Sequence, residues 1–74
     1  MLPFVKGEIV VCNPELPPEL VEDAKLKGRT DYIVIEWAHH PEQPVIIMKV
    51  MERGGPIVEN FLPPSFFITK TQIN

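Results

Sequence analysis

Residues 60–69 read Asn60-Phe61-Leu62-Pro63-Pro64-Ser65-Phe66-Phe67-Ile68-Thr69, and the fold is decided there. Proline has no amide proton to give to a ladder, so Pro63 and Pro64 stop any strand that ends at Leu62. A short turn through Ser65 then releases Phe66 to Thr69, whose aromatic and β-branched side chains suit a pleated surface. Two short apolar strands joined by a proline-stopped turn is how a small antiparallel β-structure ends. This stretch points to an architecture and to no chemistry.

Upstream, Ile57 to Leu62 reads as the strand that enters this turn, and Arg53-Gly54-Gly55-Pro56 as the hairpin before it. Val45 to Glu52 (VIIMKVME) is a further strand, with Ile46, Met48 and Val50 on one face and Val45, Ile47, Lys49 and Met51 on the other. Ala38 to Pro44 is a polar, proline-bounded loop. Asp31 to Trp37 (DYIVIEW) carries the strongest strand signal. Strict alternation puts Ile33, Ile35 and Trp37 on one face and Tyr32, Val34 and Glu36 on the other. Gly7 to Cys12 (GEIVVC) makes the first strand, which Asn13-Pro14 ends.

Between the first two strands lies the one helix candidate, Pro18 to Lys27. Prolines are tolerated at its start, where amide donors have no helical acceptor. Glu19, Glu22 and Asp23 come early and Lys25 and Lys27 late, in the order the helix dipole favours. Glu22 is spaced to reach Lys25, and Asp23 to reach Lys27. Gly28 sits where a C-terminal cap belongs. Leu20, Val21 and Ala24 form a narrow apolar face, so the helix is expected to lie over an open end or side of the sheet.

Five short strands and one helix in the first long connection resemble the Src homology 3 fold. In that family the last turn commonly reads G-L-F-P-S-N-Y-V. Here Pro64-Ser65-Phe66-Phe67-Ile68 overlays the P-S-N-Y-V part, with Phe67 at the tyrosine. The front half, KGEIVVC followed by LKGRTDYIVIEW, is similar to small phage- and prophage-encoded proteins of that barrel class. The resemblance implies a mainly β, five-stranded Src homology 3-like small barrel over residues 1–74 as a single domain. It also implies a phage-derived role in binding a host or virion protein. It does not carry over a proline-peptide site: the family's A-L-Y-D-Y start has no counterpart, and Trp37 precedes the loop that the family's paired tryptophans follow.

The chain has 74 residues, of which 45% are hydrophobic and nine are proline. A domain this short buries only about 60% of its unfolded surface. Cys12 is the single cysteine, so no disulfide forms within the chain, and a reducing, cytoplasmic setting is expected. No apolar run reaches the roughly 18 residues of a membrane span. Met1 to Lys6 lacks a charged start followed by a long apolar segment, so no signal peptide is expected. Seven basic residues against ten acidic ones, net charge −3, weigh against binding to nucleic-acid phosphates. Lys25, Lys27 and Arg29 form a local basic patch, or simply a solvated helix end.

Candidate chemistry is sparse. His39 and His40 beside Glu42 suggest a metal site, but adjacent residues of an extended chain point apart and zinc needs three or four ligands. A solvated loop tip is the simpler reading, and a pH-sensitive loop a further option. Cys12 with a histidine base would make a nucleophile, yet at the end of a β-branched strand it reads as a small buried hydrophobe. Glu36 and Glu52 are strand-end acids. No catalytic residues, metal or cofactor are assigned.

What stands out is a surplus of apolar surface. Val45 to Met51 is hydrophobic on both faces, and Leu2, Phe4, Phe61, Phe66 and Phe67 add more. Either the helix and terminal segments cover the second face, or a partner does. The expected function is a small non-enzymatic protein-interaction module that binds an unidentified protein or a second copy of itself. Its expected contact residues are Trp37, His39 and His40 at one loop, with Tyr32, Met51 and Phe67. The alternative is a nucleic-acid-binding small barrel with aromatic stacking.

Overall fold

In the computed structural model, which describes residues 4–70, four strands form one antiparallel sheet. They are β1 (Ile9–Cys12), β2 (Tyr32–His39), β3 (Ile46–Glu52) and β4 (Phe67–Thr69), in the spatial order β3-β2-β1-β4. A helix, α1 (Pro18–Asp23), sits in the β1–β2 connection, and a 3-10 turn (Pro64–Phe66) leads into β4. The mainly β class and the short helix in the first long connection agree with the sequence. The five-stranded Src homology 3-like barrel does not, because the sheet is open and has four strands.

The missing strand is Ile57 to Leu62. It forms no continuous ladder with β3, and pairs with it at two isolated bridges, Met51 with Ile57 and Met48 with Leu62. Between them Val58 donates its amide to the Val50 carbonyl at 2.9 Å. The chain bends at Glu59-Asn60, residue types that strands disfavour, and Pro63 prevents the pairing from extending further. Turn residues that look like punctuation between two strands instead divide one of them.

A second departure is a bulge in β2. Val34 pairs with Val50 and Glu36 with Lys49, which leaves Ile35 as an extra residue. One inserted residue reverses the facing of everything after it. Trp37 therefore pairs with Met48 and packs against the core on the Tyr32 and Val34 side, not beside Ile33.

α1 is also shorter than its charge pattern suggests. It ends at Asp23, with Ala24 as its cap. The Lys25 amide donates to the Glu22 carbonyl at 2.9 Å, and the Leu26 amide to the Val21 carbonyl at 3.0 Å. These two bonds are the Schellman pair, and Lys25 takes the left-handed position at φ 58° that glycine usually fills. The stop is dictated by burial: Leu26 is 7% exposed and must turn into the core. Lys25 and Lys27 consequently pair with Glu59 and Glu52, not with Glu22 and Asp23.

The core lies on one side of the sheet. Val10, Cys12, Tyr32, Val34, Met48, Val50 and Phe67 point into it, and Phe4, Ala24, Leu26, Val58 and Leu62 close over them. Each Val, Leu, Met or Phe among them contributes about 1.5–3 kcal/mol on burial. The opposite face carries Ile33 and Met51, which pair directly and are half-buried. Leu2 lies outside the described residues.

Candidate functional site

An open groove of about 590 Å³ lies between the end of β1 and α1. Val11, Cys12, Leu16, Val21 and Leu26 supply most of its apolar lining, with Glu22 and Arg29 as its charged residues. Local chemistry holds its parts in place. The Asn13 amide donates to the Phe66 carbonyl at 2.8 Å, and its side-chain Nδ2 donates to the Ser65 carbonyl at 3.2 Å. Its Oδ1 accepts the Glu15 amide at 3.0 Å, an Asx-turn that starts the connector. Pro14, Pro17 and Pro18 stiffen the connector from there to the helix. The connector thus brings α1 beside the end of the sheet and leaves a groove.

On its far side the groove is bounded by residues 26–29. The Lys27 amide donates to the Tyr32 hydroxyl at 2.8 Å, which ties this loop to the core. Arg29 comes next but one, with a left-handed backbone, φ 57°. The Cys12 thiol borders the groove but is nearly buried, and burial pushes its pKa up. A thiol held protonated is a poor nucleophile.

The six residues expected to form a contact surface are not brought together. Tyr32 and Phe67 are 0% and 3% exposed and meet edge-on in the core, with ring centroids 6.1 Å apart. Neither presents an apolar surface to a partner, because the edge-on packing that anchors the sheet uses both rings. Trp37 is half-buried against the core, and its indole Nε1 is buried without a hydrogen-bond partner. Met51 lies on the opposite face of the sheet. His39 is exposed at the end of β2. His40 serves its own loop, where Nδ1 accepts the Glu42 amide at 3.0 Å.

Among the described residues no three His, Cys, Asp or Glu side chains stand together as a metal-holding group. Nor is any helix there long and apolar enough to cross a membrane. Compared with known proteins, the chain matches no family model, no curated protein and no solved structure.

Sequence reasoning passed over Leu16, Val21 and Leu26 as site residues. The available signal was the pairing of a proline-stiffened connector with a helix too short to cover the sheet end.

Proposed function

We propose that this domain is a small non-enzymatic protein-binding module whose groove between β1 and α1 receives an apolar segment of its partner. The observation that carries this reading is the groove itself: about 590 Å³, open, and lined mainly by apolar side chains. Binding sites are commonly concavities of about 300–1,000 Å³ with an apolar lining and a few polar groups. The local scaffold is pre-organised by proline and by the Asn13 turn, which lowers the entropy lost on docking.

Gly28 gives a clean test. It lines the groove, and a Cβ built there meets nothing within 4 Å, so a large side chain obstructs the groove without a clash at Cβ. A displayed library of apolar hexapeptides with free carboxyl termini is selected on the wild-type domain. Its binders are then tested against Gly28→Phe and, as an outer-face control, Ile47→Lys. Groove binders are expected to lose affinity for Gly28→Phe alone. A selection whose binders all keep full affinity for Gly28→Phe refutes the assignment. Light scattering over a dilution series identifies a second copy as the occupant if a dimer forms and Gly28→Phe abolishes it.

A further inference from the structure

We infer that the groove recognises an apolar chain end, with the terminal carboxylate of the bound segment held by Arg29; this rests on the protein-binding reading above. Of the seven cations, Lys25, Lys27, Arg53 and Lys70 are in ion pairs and Lys49 lies over the Phe61 ring. Arg29 and Lys6 have no such partner among the described residues, although acids outnumber bases in the chain. Among the described residues, Arg29 is the only cation that lines the apolar groove. A guanidinium presents a planar fork of donors that fits a carboxylate through two parallel hydrogen bonds.

The backbone at this position is left-handed, as it is at Lys25. Arg29 holds φ 57°, a conformation that disfavours L-residues with a Cβ, while neighbouring Gly28 does not take positive φ. Glu22 lines the α1 side of the same groove. It repels a second acid, so the groove favours a segment whose only negative charge is at the Arg29 end. Apolar side chains preceding that end fill the space beside Val11, Leu16, Val21 and Leu26.

The experiment uses the tightest groove-dependent hexapeptide from the selection, synthesised as the free acid and as the C-terminal amide. Both are titrated into the wild-type domain and into Arg29→Asn, a variant that tolerates the left-handed backbone and lacks the charge. The free acid is expected to bind wild type about tenfold more tightly than the amide, with the ratio falling close to one in Arg29→Asn. Equal affinities in wild type, or a preference that survives in Arg29→Asn, overturn the carboxylate inference and leave the groove assignment standing. A selection that returns no groove-dependent peptide overturns both.

Discussion

Tyr32 reaches across the core and accepts the Lys27 amide on its hydroxyl at 2.8 Å, so one buried side chain in β2 holds the loop that bounds the groove. Its ring packs against Phe67 of β4, which links the sheet, the loop and the final strand. Burial raises the Tyr32 pKa, and the Lys27 hydrogen bond opposes that shift. Tyr32→Phe keeps the ring packing and removes the acceptor, leaving the Lys27 amide without its partner. The expected loss is about 1 kcal/mol, or about 5 °C in Tm for a domain of this size. Hydrogen exchange at Lys27 should accelerate more than at Val34, whose amide bonds to the Glu8 carbonyl. Unchanged exchange at Lys27 would show that the loop is held by other contacts.

Lys25 occupies the glycine position of the Schellman pair that ends α1. A left-handed L-residue is disfavoured by about 1–2 kcal/mol, and glycine returns part of this through its greater freedom when unfolded. The ion pair that Lys25 makes with Glu59 spans 3.9 Å between two exposed side chains, a type that contributes little. Lys25→Gly is therefore expected to stabilise the domain by about 0.5–1 kcal/mol. Urea unfolding gives the answer directly, and a lowered midpoint would mean that the Lys25 side chain has a structural role.

Much of the strand pattern is legible in the sequence because period-two alternation survives in Val45–Glu52 and in the first half of Asp31–Trp37. Alternation alone carries no sign of the extra residue at Ile35, since IVI fits a regular strand as well as a bulged one. That single residue moves Trp37 to the core side of the sheet. The turn at Pro63-Pro64 is announced by its prolines, but the bend at Glu59-Asn60 is decided by how that segment meets β3. The groove is the least legible feature. It is a gap between α1 and the sheet end, set by where the helix stops, and that stop comes from Leu26 burial and not from the Gly28 signal.

Asp31 joins three parts of the chain. Its Oδ2 accepts from Lys70 Nζ at 2.7 Å and lies 3.5 Å from Arg53 Nη1, while its backbone carbonyl accepts the Arg53 amide at 2.9 Å. The Lys70 hydrogen bond, with Arg53 assisting, holds the Asp31 carboxyl below the usual carboxylate range. A depressed folded pKa stabilises the fold above the unfolded value, near 3.9, and that stabilisation is lost as pH falls through the folded value. Asp31→Asn should therefore lower the urea midpoint at pH 7, with the gap to wild type narrowing as the solution is acidified below about pH 4. Added salt should also narrow it at pH 7. A gap that is constant with pH would assign the effect to packing rather than charge.

His40 closes the β2–β3 loop with its side chain as well as its backbone. Its amide donates to the Val45 carbonyl at 2.9 Å, and its Nδ1 accepts the Glu42 amide at 3.0 Å. Accepting at Nδ1 requires the neutral ring with its proton on Nε2. His40→Ala removes this acceptor, so exchange at the Glu42 amide should quicken relative to wild type at the same pH. Asparagine offers an oxygen acceptor at the same two-residue spacing. His40→Asn should therefore keep the Glu42 amide bonded and its exchange close to wild type. Equal exchange at Glu42 in wild type and in His40→Ala would show that the loop is closed by the His40–Val45 backbone bond and not by the imidazole.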